Sequence, residues 1–295
     1  MEETLFTKWF GKLLDALRIG NVSETTTKVD HVADRLSQDF QVVSEGIIIK
    51  GRLFFPVAKP SKQYPVLIIC HGIPASSLST SPTDPGYEGL ALDFTSIGIA
   101  CVIFNFRGCG DSGGDFNIMG WTRDLEAVHL KVVDTPYIDP TRIIILGFSG
   151  GGAAAIRVTA DTERVYGLAL GAAPAHFKMF VRDPADIIKD FKARGIIRDS
   201  DYPTDVHRWL KAFDDIEPRH WINHFKGKHI LIVHGDSDEL IPIEHAHELH
   251  GNAPAGISEL VIIPGGAHKL RHNEQSIQAI KNWILRILGW SRVES

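Results

Sequence analysis

The sequence predicts an α/β fold, a doubly wound and mostly parallel sheet of eight strands with helices on both faces, and three observations carry that prediction. From residue 40 onward eight apolar, strand-like runs appear, and the later ones alternate with amphipathic helical segments. The middle runs are continuous in Val, Ile and Leu instead of alternating with polar residues, as strands buried on both faces must be. A chain of 295 residues with 44 % hydrophobic content can bury a large core within one body.

Taken in order, the first element is the stretch "LFTKWFGKLLDAL", in which Leu5, Phe6, Trp9, Phe10, Leu13, Leu14 and Leu17 form one apolar stripe at helical spacing. Glu2, Glu3, Lys8, Lys12 and Asp15 interrupt it too often for a signal peptide or an integral membrane span. A helix docked on the body or on a partner subunit is expected, with a membrane-surface helix as the alternative. The polar stretch "GNVSETTTKVDH" follows as a linker, so residues 1–39 read as a helical extension and 40–295 as the main domain. The strand-like runs of that domain are "FQVVSEGIII", "GRLFFPV", "YPVLIIC", "IACVIFNF", "RIIILGF", "VYGLALG", "HILIVHG" and "ELVIIPG". "IQAIKNWILRILGW" closes the chain as a helix with Ile277, Ile280, Trp283, Ile284, Ile287 and Leu288 on one face. Between the sixth and seventh runs the connection from about 175 to 225 is long, with helical patterns at "DPADIIKDFKARG", "PTDVHRWLKAF" and "EPRHWINHF". The net charge of -5 gives no electrostatic footprint for nucleic acid. Cys70 and Cys101 fall in buried runs and Cys109 in a glycine-rich loop, which with an odd cysteine count fits free thiols in a reducing compartment.

The chemistry begins at "ILGFSGGGAAA", which sets Ser149 among glycines at the join of a strand and a helix with no loop to spare. A serine at so sharp a corner takes a strained backbone, and only glycine-sized neighbours let strand and helix approach; the glycines make room for an exposed hydroxyl. Alone, G-x-S-x-G is a weak signal. A serine nucleophile also needs a base, an orienting acid and oxyanion donors, and each has a candidate just past another strand end. "HGIPASS" offers the backbone N–H of Ile73, to act with that of Gly150; "HGDSDELIP" offers Asp236 and Asp238; "GGAHKL" offers His268, with His272 as the alternative. Other groups read as structural. Arg107 with Gly108, Gly110, Gly113 and Gly114 lacks the helix and lysine of a phosphate loop. His245, His247 and His250 give no clean i, i+4 metal pair and read as a solvated helix face. His71 and His234, each before a glycine, read as hydrogen-bonded structural histidines.

Together these motifs resemble the α/β-hydrolase family over roughly residues 40 to 290. "HGIP" resembles its oxyanion segment, "NFRGCGDSGG" its glycine-rich turn after the fourth strand, "GFSGGG" its nucleophile elbow, and "HGDSDELIP" and "GGAH" its acid and base loops. The resemblance implies an antiparallel second strand, a helical cap over the site at 175–225, no metal, no organic cofactor and an acyl-enzyme intermediate. It also selects Asp238, the third residue after the glycine of "HG", and leaves Asp236 to cap the turn through its own backbone. Dehalogenases and epoxide hydrolases of this fold carry an aspartate at the elbow, which Ser149 argues against. The expectation is a serine hydrolase of the esterase or serine-aminopeptidase-like branch that uses Ser149, Asp238 and His268 on a small-molecule carboxylic ester. An exopeptidase, amidase or thioesterase is the alternative, and a non-catalytic binding module a further one. Phe177, Met179, Phe180, Trp209, Leu210 and Phe213 of the cap are candidates either for the pocket wall or for packing the cap on the body. A cytoplasmic location is expected, and a homo-oligomer stays open.

Overall fold

β1 (Ser37–Ser44) and β2 (Ile47–Phe54) form an antiparallel hairpin turned at Glu45 and Gly46, whose φ values of 49° and 82° give the tight turn that matches strand twist. The computed structural model describes residues 34, 36–74, 86–178 and 183–290. The amphipathic segment at 5–17, the polar stretch at 20–31, Met179 and Phe180 lie outside the described residues.

β3 (Tyr64–Cys70), β4 (Ala100–Phe104), β5 (Ile138–Phe148), β6 (Gly167–Gly171), β7 (His229–Gly235) and β8 (Ser258–Ile263) complete an eight-stranded sheet in the order β1-β2-β4-β3-β5-β6-β7-β8. From β4 to β8 every neighbouring pair is parallel, whereas β2 is antiparallel to both β1 and β4, as the resemblance implies. The expected boundary between the first two runs is corrected. "FQVVSEGIII" and "GRLFFPV" break at Gly51, but Gly51 lies inside β2, where a Cβ would sit 2.1 Å from the carbonyl oxygen of Ile103. Close approach to β4, not a turn, requires that glycine.

Because side chains alternate across a strand, β3 feeds both layers: Val66, Ile68 and Cys70 face one core and Leu67 and Ile69 the other. The first core is closed by α2 (Ile118–Val133), α3 (Gly150–Asp161) and α6 (Glu244–Asn252), the second by α1 (Gly86–Thr95) and α7 (Glu274–Ile287). Ile277, Ile280, Trp283 and Ile284 of α7 are buried, as its periodicity predicts. All three cysteines are free and buried. No helix among the described residues is long and apolar enough to cross a membrane.

The helical insertion stands between β6 and β7. It contains α4 (Pro184–Ala193) and α5 (Val206–Asp215), whose first turns are capped by the carboxylates of Asp183 and Asp205. "EPRHWINHF" forms two short 3₁₀ turns, Pro218–His220 and Ile222–His224, in place of the helix its pattern suggests. Phe191 and Trp209 are buried against Phe116 of the body, and the Trp209 indole N–H donates to the Phe116 carbonyl at 3.0 Å. Trp209 therefore packs the insertion down, while Phe177, Leu210 and Phe213 remain only partly buried.

Candidate active site

The corner between β5 and α3 is as tight as the glycine pattern demands. Ser149 has φ 51° and ψ −125°, a conformation that costs of the order of 1–3 kcal/mol and persists only when its surroundings enforce it. A Cβ on Gly147 would lie 2.5 Å from the Cα of Gly152, and one on Gly151 would lie 2.3 Å from the carbonyl oxygen of His71. The backbone N–H of Ser149 donates to Gly171 at the end of β6, which fixes the corner from the other side.

His268, on the loop after β8, brings Nε2 to 3.1 Å from Ser149 Oγ and Nδ1 to 2.9 Å from Asp238 Oδ2. The Asp238 side chain is fully buried and that of His268 is 22 % exposed, so the chain of contacts runs from the interior out to the hydroxyl. Nδ1–H donates to Asp238, which leaves the lone pair of Nε2 to accept from the Ser149 hydroxyl. Burial by itself raises the pKa of Asp238, but hydrogen bonds from His268, Ile241 and Leu240 outweigh it and hold the carboxylate below its ordinary range. His272 stands exposed at the end of the 3₁₀ turn that follows, Leu270–His272.

Asp236 is exposed, and its Oδ1 accepts from the N–H of Gly265 at 2.7 Å. It ties the acid loop to the loop of His268 across 29 residues, a correction to the expected cap on its own backbone. The two loops lie back to back: a Cβ on Gly235 would sit 1.9 Å from the carbonyl oxygen of Gly266. His234 is wholly buried behind Asp238; Nε2–H donates to the Ile241 carbonyl, and burial lowers its pKa.

Ile73 and Gly150 are brought together. The backbone nitrogen of Ile73 lies 3.6 Å from where a Cβ of Gly150 would be, and Gly150 opens α3, where an N–H has no partner within the helix. His71 sets the direction of the Ile73 N–H. Its Nε2 accepts from the N–H of Phe106 at 3.1 Å, so its proton is on Nδ1, which donates to the Gly72 carbonyl at 2.7 Å. In a trans peptide the N–H points opposite to the C=O, so holding the Gly72 oxygen turns the Ile73 N–H the other way. Burial depresses the pKa of His71 to about 4, and the ring stays neutral with this donor–acceptor pattern.

The remaining groups divide clearly. Arg107 is buried in hydrogen bonds to Asp124, Ser44 and Glu45 and stitches the glycine-rich turn to α2 and the hairpin. His245 overturns its reading as part of a solvated face: it is buried, accepts from the N–H of Ala175 at 3.0 Å and packs against the His176 ring. His247 and His250 are exposed, so the three do not converge. Sequence reasoning missed two arginines of the insertion. Arg198 donates to the carbonyls of Gly108, Gly110 and Ser112, and Arg194 donates to the Pro74 carbonyl beside Ile73. Neither contact has a local signal, because the partners are about 90 and 120 residues away.

A family model described as the prolyl oligopeptidase family matches residues 90–291. The uncharacterized protein YfhR of Escherichia coli O157:H7 is 24 % identical over 191 residues, which is 63 % of this chain and 61 % of that protein. The chain thus spans about three-fifths of the length of the curated relatives it matches. Among solved structures, the 2,6-dihydroxy-pseudo-oxynicotine hydrolase superposes with a TM-score of 0.66 at 18 % identity, covering 88 % of this chain and 71 % of its own. Est1E from Butyrivibrio proteoclasticus with bound ferulic acid gives 0.63 at 20 % identity, covering 85 % and 99 %. At these identities the likeness is one of fold.

Proposed function

The chain belongs to the prolyl oligopeptidase family of α/β-hydrolase-fold enzymes, and from that premise we propose that it is a serine hydrolase that cleaves carboxylic esters through an acyl-enzyme. This placement is coarser than the esterase or serine-aminopeptidase-like branch that the sequence suggests. The observation that carries the proposal is the continuous contact from Ser149 Oγ through His268 to buried Asp238 at a strained corner. In the proposed reaction Ser149 Oγ attacks the ester carbonyl carbon and its proton passes to His268 Nε2. Asp238 stabilises the imidazolium, and the N–H groups of Ile73 and Gly150 receive the negative charge that develops on the carbonyl oxygen. His268 then returns the proton to the departing alkoxide, and water hydrolyses the acyl-enzyme by the same steps in reverse order.

A peptidase is the second reading, favoured by the family description. Against it stand four carboxylates of the insertion that are engaged within it. Asp183 and Asp205 cap α4 and α5, Asp190 pairs with Arg194, and Asp215 with Lys211. Holding a free peptide amino terminus in register needs acidic side chains aimed at the pocket. The test is kcat/KM for an unactivated ethyl ester and a p-nitrophenyl ester against a set of aminoacyl-p-nitroanilides. The ester reading expects the p-nitrophenyl ester to exceed the best anilide by at least about a hundredfold, roughly 2.7 kcal/mol of transition-state stabilisation. Anilide turnover equal to that of the ethyl ester overturns it in favour of the peptidase.

A further inference from the structure

We propose that Arg194 is a positioning residue through which the helical insertion holds the oxyanion loop in place. The inference rests on the reading of Ile73 as an oxyanion donor and extends it to a residue outside the active-site motifs.

The loop Gly72–Ile73–Pro74 is well held at its first end. Gly72 is pressed against the elbow, where an added Cβ would lie 2.9 Å from Ser149 Cβ, and the Gly72 carbonyl is bound by His71. Pro74 confines Ile73 to extended backbone, which removes much of the freedom of its N–H. At the second end, among the described residues, the Pro74 carbonyl accepts from Arg194 Nη1 at 3.2 Å. That guanidinium is aimed by Asp190 one turn earlier on α4: Nε donates to Oδ1 at 3.1 Å and Nη2 to Oδ2, leaving Nη1 for the loop.

α4 has its own anchorage, independent of this bond. Phe191 packs edge-on against Phe116 at 4.8 Å, and Arg198 grips three carbonyls of the glycine-rich turn. The aromatic contacts continue from Phe116 to Trp121 and from Trp121 to His71, at 5.1 and 5.3 Å. Both ends of the loop are therefore referred to the insertion, one through packed rings and one through Arg194. Loss of the arginine side chain beyond Cβ leaves the insertion docked and frees the carbonyl that follows the oxyanion donor. An N–H displaced by a fraction of an ångström stabilises the developing oxyanion less, while substrate binding that does not use it is unaffected.

The experiment compares wild type, Arg194→Ala, Arg194→Lys and Ser149→Ala by melting temperature, steady-state hydrolysis of p-nitrophenyl butyrate and the rate of labelling by a fluorophosphonate. Attack on phosphorus also places negative charge on an oxygen in the same site, so labelling reports on the donors separately from ester turnover. The expected result for Arg194→Ala is a kcat lower by about tenfold, KM within about twofold, a matching fall in labelling rate and a melting temperature within about 2 °C of wild type. Arg194→Lys is expected to fall between the two, because one ammonium on a shorter reach cannot satisfy Asp190 and Pro74 together. Guanidinium ion at sub-denaturing concentration restores part of the kcat of Arg194→Ala. Unchanged kcat and labelling in Arg194→Ala overturn this proposal alone, as does a loss confined to KM or accompanied by a large fall in melting temperature. No labelling of wild type, or labelling of Ser149→Ala equal to wild type, overturns the nucleophile reading and this proposal with it.

Discussion

A single residue separates Asp236 from Asp238, yet one carboxylate is exposed and fastens Gly265 while the other is buried beneath His268. The same substitution therefore has different consequences. In Asp236→Asn the amide oxygen still accepts from the Gly265 N–H, and kcat/KM is expected to stay within about fivefold of wild type. In Asp238→Asn the carboxylate proposed to fix the His268 tautomer and to stabilise its imidazolium is gone, and kcat is expected to fall by about a thousandfold or more. Steady-state ester hydrolysis by the two variants checks this, and a larger loss in Asp236→Asn exchanges their roles. At this scale the sequence could place both aspartates in one loop. It could not show which of them is buried, because the cover over Asp238 comes from His268 and His234 on other parts of the fold.

At the scale of elements, legibility follows the range of the forces involved. Continuous apolar runs identify β3 to β7 because both faces of each strand are covered, and the periodicity of α7 survives because one face meets the sheet. The hairpin is misdivided because Gly51 looks like a turn residue while its cause is β4, some fifty residues away in sequence. The meeting of Ser149, Asp238 and His268 is legible because each lies within a few residues of a strand end and the strand order brings the three loops to one edge of the sheet. His71 is legible as a hydrogen-bonded structural histidine but its partners are not, and Arg194 and Arg198 are not legible at all. Their work is done on backbone carbonyls and amides, which every residue carries and no motif marks. His245 is misread for the opposite reason: its neighbours His247 and His250 are solvated, while the chain after β6 covers it.

For the molecule as a whole, the buried histidines contribute to a loss of stability in acid. Burial lowers the pKa of His71 to about 4, and burial with the nearby His176 does the same for His245, against about 6.5 in an unfolded chain. Well above pH 6.5 both states leave these rings neutral, and stability does not depend on them. Between about 6.5 and 4 the unfolded chain takes up protons that the folded protein refuses, so stability falls as pH falls, and below about 4 this contribution levels off. Urea midpoints measured from pH 8 to 4.5 are expected to be level above pH 7 and then to decline, with a shallower decline in His245→Gln; a flat profile down to pH 4.5 contradicts the burial of these rings. The central claim concerns Ser149, and the most direct measurement is the mass of the covalent intermediate. The enzyme is mixed with a p-nitrophenyl ester, quenched in acid within the first turnovers, digested and analysed by mass spectrometry. The expected result is one acyl group on the peptide that contains Ser149, enriched when the ester is in excess and absent in Ser149→Ala. Rapid ester turnover with no acyl group on that peptide, or turnover by Ser149→Ala within tenfold of wild type, contradicts the account.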